Sequence, residues 1–522
     1  MKEMTERAIR FPRFIKQQNG LTIYTIILAL ICYGLSLGKI TFGMDTNQYL
    51  SVPQDYLKHW ISIGRFGQVL LKKLEGSNVA NLYLANLLGI LLLISSSLLL
   101  CTLFAKCLKD QVSTLQLAVI PSLFVTSPFF MTQFYFVLQI FEFMFGLFLT
   151  ILAAYLLAGT TMKFPSWWQM IAATLCLSFA CSIYLSFLLL FTALTASILL
   201  LQLLQFSKQQ QNLALMDLIK QAVPYLLVFG FGVGLYFVGD TLVLQITKIA
   251  NVDHSSNDRL WGQVPFTEAL DSLIKSIGKI TIAPSFWKIN PVYGPQFLIG
   301  GLLSLLPLVK IKTVSFQSRL SYLICLMVLL ISAVGTVIAA GTLLPPRSMA
   351  PQFPFVIALC FFLASLSVTT SKLKKGLLLL VGYFTLSQLA FTTKLLVSQQ
   401  ATYKEDQDRV QQLLTLAQPL VNQQHKRLSQ YRLAIIGAGP ARNRFVTTVP
   451  GEMIGVSLFD FGYPDASGPS RNVADLLIIN GQAVQYPIPS SYNQLREKYE
   501  SQTRGDGSLR VVIDSGYLVV IL

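Results

Sequence analysis

Nearly uncharged apolar stretches of about 18–22 residues recur from Leu21 to Val397, each long enough to cross the roughly 30 Å hydrocarbon core of a bilayer. A buried helix of a soluble protein does not need that length, so length identifies these stretches as membrane spans. About eleven are expected, near 21–38, 82–104, 115–131, 139–158, 169–183, 185–205, 222–239, 295–310, 320–341, 352–369 and 376–396. The fifth and sixth are nearly continuous. One helix over 169–205 would run ~55 Å, too long for the core, so a turn is expected near Ser182–Ser186. Only 12% of the residues are charged, about half the share found in soluble domains.

The net charge of +16 does not imply a nucleic-acid partner, because the basic residues sit in short clusters between apolar stretches. Lys2, Arg7, Arg10, Arg13 and Lys16 precede the first span. Lys106 and Lys109 follow the second, Lys163 the fourth, Lys208 and Lys220 the sixth. Lys310, Lys312 and Arg319 follow the eighth, and Lys372, Lys374 and Lys375 the tenth. Every second connection is thus short and basic, as cytoplasmic loops are. The expected protein is an α-helical polytopic cell-membrane protein with residues 1–20 cytoplasmic and 21–397 forming the transmembrane domain. Residues 39–81, 240–294 and 398–522 would then lie on the extracytoplasmic side. The seven cysteines fall in or beside spans, so no disulfide framework is implied. The first apolar stretch lacks a clear cleavage site and reads as a retained span.

The tail differs in character. A polar helix-favouring run, Gln399–Gln424, precedes strand-like runs at Arg432–Ile436, Asp475–Ile479 and Arg510–Ile513, with turn residues between them. This predicts a small extracytoplasmic α/β domain over 398–522. Gly437-Ala438-Gly439-Pro440 looks like part of a dinucleotide fingerprint, but Arg442 takes the third glycine's place. A strand-to-helix turn is the simpler reading.

The first outside segment holds the most chemistry. Asp45 lies just past the first span. It is followed by Lys58, His59, Trp60 and the step Gly64-Arg65-Phe66-Gly67. Trp60, with Leu57, Ile61 and Phe66 among cations, suits a helix lying on the membrane surface. One carboxylate and several cations at headgroup level fit a phosphate-linked lipid: cations hold the phosphate while a carboxylate accepts a proton. Two readings of Asp45 stay open, since aspartate is also a favoured helix N-cap. Arg65 is equally an anionic-lipid anchor or a substrate ligand.

An acidic residue after the first span, a Trp-containing juxtamembrane helix and a Gly-Arg-Phe step resemble the type II Gtr membrane glucosyltransferases. These belong to the integral-membrane glycosyltransferases of the C-type (GT-C) fold, and the resemblance covers mostly residues 20–100 together with overall topology. It implies that Asp45 is the base or acceptor-positioning group and that Arg65 binds substrate phosphate or is structural. The adjacent acidic pair of several C-type enzymes is missing, Asp55 being ten residues away. The identity of the base and any divalent-cation requirement are therefore left open, and no cofactor is assigned.

Further candidates are Glu142, an ionisable residue at the start of a span, and Arg347, the sole charge in the turn Pro345-Pro346-Arg347-Ser348. The aromatic run Phe129–Phe136 reads as lipid-facing packing, and Trp287 and Tyr293 as interface anchors. Asp253, His254 and Asp258, with Arg259 and Trp261, read as a solvated loop and not a metal site, and His425 as exposed. The function expected is hexose transfer, with glucose as the sugar, from a polyprenyl-phosphate carrier to an extracytoplasmic glycopolymer such as teichoic acid or a surface polysaccharide. The partners are then that carrier lipid, the polymer acceptor and membrane lipids. The alternative is a transporter or flippase of a lipid-linked saccharide.

Overall fold

Where the side chains are apolar and few caps interrupt, the backbone satisfies its own polar groups by forming helix, and helix dominates this chain. The computed structural model describes residues 11–39, 41, 43–75, 81–109, 111–159, 164–208, 215–252, 259–282, 293–310, 316–444, 446–449, 452–462, 465–503 and 508–522. Among them six helices are long and apolar enough to cross a membrane. They are Leu82–Cys107, Ile140–Leu157, Phe187–Ser207, Met216–Thr247, Phe316–Ala333 and Ser371–Gln423. Shorter apolar helices lie at Asn19–Tyr33, Trp167–Ile183, Tyr293–Val309 and Phe353–Ser367. The stretch 169–205 is divided at Tyr184-Leu185-Ser186, where Tyr184 is extended.

A seventh span is available only if Thr114–Phe124 and Pro128–Tyr135, bent by 46°, count as one. Pro128 opens the second piece, because a proline N–H is not needed at a helix start. The bend leaves carbonyls at Val125 and Ser127, and Tyr33 Oη donates to both, at 3.0 and 3.1 Å. Beside it Thr126 Oγ1 donates to Gln388 Oε1 (2.6 Å), and Gln388 Nε2 donates to Gln296 Oε1 (2.7 Å).

The chain forms two compact units. The first contains residues 1–37, 60–134 and 139–393. Its interior includes an aromatic cluster in which Phe353 stacks with Phe129, Tyr293 and Phe297 at 5.1–5.5 Å between ring centres. This corrects two expectations. Tyr293 is no interface anchor: it is buried, and its hydroxyl hydrogen-bonds Ser127 Oγ at 2.6 Å. The run Phe129–Phe136 does not face lipid, since Phe129, Phe130, Phe134, Tyr135 and Phe136 are all buried in protein. Trp287 lies outside the described residues.

The second unit contains residues 38–59, 135–138 and 394–522. Its sheet has the order β1-β3-β2, with β1 (Arg432–Ile436) parallel to β3 (Tyr517–Ile521) and β2 (Arg510–Asp514) antiparallel to it. Alternate residues serve opposite faces. Leu433, Ile435, Leu518 and Val520 pack with Val410, Leu413, Ala417 and Val421 of the polar end of the long helix. Ala434, Ile436, Val519 and Ile521 pack with Tyr492 and Leu495. A sheet covered on both faces explains why β1 and β3 are almost wholly apolar. Asp475–Ile479, expected as a strand, is the end of the helix Gly468–Ile479. Pro469 favours a helix start, and Val473, Leu476 and Leu477 share one face that enters the core.

The glycine turn after β1 also differs from expectation, because among the described residues no α-helix follows it until Gly468. Arg409 fills the place instead: its guanidinium donates to the carbonyls of Gly439 and Pro440, the latter at 2.8 Å. Glu405 pairs with Arg409 at 2.7 Å and accepts from the Arg442 backbone N–H.

Candidate functional site

Asp45 lies in the eight-residue helix Met44–Ser51. The N-cap is Gly43, so Asp45 does not cap the helix; it occupies the first turn, where the helix dipole favours a carboxylate. Its side chain is half-buried, whereas Thr46, Asn47 and Tyr49 are buried. The next helix, Pro53–Ser62, exposes Lys58 and His59. Lys58 pairs with Asp55 at 3.5 Å, and His59 lies against the Tyr56 ring. Trp60 departs from the expected lipid-surface role: at 1% exposure it is buried in protein, as are Tyr56 and Ile61. The apolar face of this helix is therefore covered by the chain itself.

The Gly64-Arg65-Phe66-Gly67 step is a packed joint of the first unit. Gly64 has φ +77°, and a Cβ there would strike the Tyr236 hydroxyl. A Cβ at Gly67 would strike the side chain of Ser182. Phe66 stacks on Tyr236 with ring centres 6.0 Å apart, and the Arg65 guanidinium carbon sits 4.8 Å from the Tyr184 ring centre. Arg65 thus sits over an aromatic face at the start of the helix Phe66–Leu74 and remains half-exposed. One oxygen of Asp240 is buried beside this joint, 3.6 Å from where a Gly64 Cβ would lie.

Glu142 is fully buried at the start of its span. Its Oε1 lies 2.6 Å from Lys72 Nζ, and the same ammonium lies 3.0 Å from Glu75 Oε2. Lys72 is 3% exposed. Burial pulls its pKa down, but the two carboxylates outweigh that and hold it above the ordinary lysine value. The pair joins Phe66–Leu74 to Ile140–Leu157. A carboxylate inside a span calls for a partner cation, yet nothing in the sequence singles out Lys72, seventy residues away.

Arg347 stands in the short 3-10 helix Pro346–Met349, half-exposed, and its carbonyl accepts from Gln133 Nε2 at 3.2 Å. Trp261 donates Nε1–H to the Ile338 carbonyl at 2.8 Å, so this residue is held by the fold. Asp253, His254 and Asp258 lie outside the described residues. Among the described residues, no three His, Cys, Asp or Glu side chains gather as a metal site. His425 is exposed.

The structure thus places Asp45, Lys58 and His59 in the second unit, and Trp60, Arg65, Glu142 and Arg347 in the first. A polar cluster within the second unit carries no mark in the sequence: Ser51 and Tyr486 both donate to Asp475 Oδ1 at 2.5 Å. Its members lie far apart in the chain, and no local pattern marks them.

Neither the curated proteins nor the solved structures yield a match. The family model described as Glucosyl transferase GtrII does match, over residues 34–365. That stretch is more than half of the chain and contains Asp45, the Gly-Arg-Phe-Gly joint, the Lys72–Glu142 tie and Arg347. A membrane-type helical chain matched over this span belongs to the GtrII glucosyl transferase family.

Proposed function

We propose that the chain transfers glucose from a polyprenyl-phosphate carrier to an extracytoplasmic polymer such as teichoic acid or a surface polysaccharide. The observation that carries this reading is Asp45. In a chain of a glucosyl transferase family, it is a half-open carboxylate on a short helix directly after the first apolar segment. The basic clusters between apolar stretches support a cytoplasmic N-terminus and an extracytoplasmic C-terminus, with about eleven spans, of GT-C type as the family resemblance implies. Nucleotide sugars are not supplied on that side, so a lipid delivers the donor.

In this mechanism Asp45 takes the proton of the acceptor hydroxyl, or orients it, as that oxygen attacks the anomeric carbon. The bond to the lipid phosphate breaks, and the phosphate leaves with the electron pair. Arg65 and Arg347, with Lys58 or His59, stabilise that charge through charge-assisted hydrogen bonds. A single in-line displacement inverts the anomeric centre.

The test is restoration of surface-polymer glucose in a strain lacking the gene. Asp45→Asn and Arg65→Ala chains, inserted at wild-type levels, are expected to fail. Full restoration by both would remove these residues from the chemistry. Labelling that placed position 45 in the cytosol would remove the donor assignment.

A further inference from the structure

The Met44–Ser51 helix carries the proposed base but has little to hold it by itself. Its eight residues fall short of the roughly 12–15 that an isolated helix needs, and Gly43 offers no capping side chain. Tertiary contact holds it instead. It packs against the helix Gly468–Ile479 of its own unit. Asp45 and Gln48, one turn apart, share the face left open.

The join is closed by one polar cluster. Asp475 is 5% exposed. Its Oδ1 accepts from Ser51 Oγ and from the Tyr486 hydroxyl, both at 2.5 Å, and that hydroxyl lies 3.4 Å from Ser51 Oγ. Hydroxyl-to-carboxylate bonds are short, strong and directional. Placing a carboxylate where an apolar side chain would pack costs stability, and such a group is best understood as specifying one geometry. Ser51 belongs to the helix of Asp45; Asp475 and Tyr486 come from the tail, beyond the residues matched by the family model.

The geometry points to Asp475 as a positioning residue for sugar transfer. With Tyr486 and Ser51 it fixes the pose of the helix that presents Asp45, making the C-terminal α/β fold part of the catalytic apparatus. This rests on the reading of Asp45 as the base.

The experiment uses the full chain in the strain lacking the gene, with surface-polymer glucose as one readout. The second readout is the mobility of a spin label on Gln48→Cys in a background without other cysteines. Asp475→Leu removes the acceptor. Ser51→Ala leaves the Asp475–Tyr486 bond intact and so avoids disturbing the α/β core. At wild-type membrane levels both are expected to lower glucose incorporation by about tenfold or more, the scale of a small misplacement of a reacting group. Both should also loosen the label, and Ser51→Thr, which keeps the hydroxyl, should restore both readouts. In the Asp475→Leu background, Ser51→Ala should add nothing further.

The proposal is overturned if both variants stay within about twofold of wild type while Asp45→Asn is inactive; the base reading then survives alone. It is also overturned if activity falls with the label unchanged. Full activity of Asp45→Asn would overturn the base reading and this inference with it.

Discussion

A carboxylate serves as a base only if it is reachable and its helix is held still, and Asp45 meets the first condition. Replacing it with Asn keeps size and hydrogen bonding but removes the proton acceptor. A general base is worth about 10²–10⁴-fold, so kcat/KM of purified Asp45→Asn should fall within that range. Arg65 offers a sharper contrast. Its planar guanidinium lies on Tyr184, a fit that an ammonium does not reproduce. Arg65→Lys should therefore lose most transfer activity while keeping the charge, and a normal rate would show that charge alone matters there. Asp45 and Arg65 stand out in the sequence as candidates because their signal is local: acid, aromatic, cation and glycine within about two dozen residues. Lys72 and Asp475 do not, because each acquires meaning only from a partner brought together by folding. Trp60 was misread for the related reason that a tryptophan among cations looks the same in sequence whether lipid or protein covers it.

At the scale of elements, long apolar runs declare themselves as helix, and the division near Tyr184 followed from length alone. The bend at Val125–Ser127 was hidden, because its compensation comes from Tyr33, Gln388 and Thr392, which are far away in the chain. The misread strand at Asp475–Ile479 shows the limit of short patterns, since five apolar-rich residues fit either period. The Lys72–Glu142 tie yields a prediction at this scale. Removing one member of a buried ion pair leaves the other uncompensated, at about 3–5 kcal/mol. Lys72→Met should therefore lower the melting temperature of detergent-purified protein markedly. The double variant Lys72→Met, Glu142→Met should recover much of the loss, because apolar replacement of a whole buried pair is close to neutral. A double variant no better than the single would mean that the pair does more than tie two helices.

At the scale of the whole molecule, family membership is carried by residues 34–365, while the α/β fold that supports the Asp45 helix is built largely from residues beyond them. Acidity offers a way to read that support. Burial pushes the Asp475 carboxyl above the usual aspartate value, and the hydroxyls of Ser51 and Tyr486 only partly pull it back. A carboxyl whose folded pKa is raised contributes stability that is fully present below the unfolded value of about 3.9 and is lost as pH rises through the folded value. Asp465 and Asp514 work in the opposite direction. Ser467 holds the first below the usual range, and Lys498, Tyr499 and Ser515 hold the second there, so their contributions are lost on acidification. Both are present in wild type and in Asp475→Asn and cancel in the difference between the two. The melting temperature of wild type minus that of Asp475→Asn should therefore decline as pH is raised from about 4 toward neutrality. The difference should level off once Asp475 is fully ionised. A flat difference curve would mean that the carboxyl does not feel its burial, and that the join between the Asp45 helix and the α/β fold is looser than the 2.5 Å bonds imply.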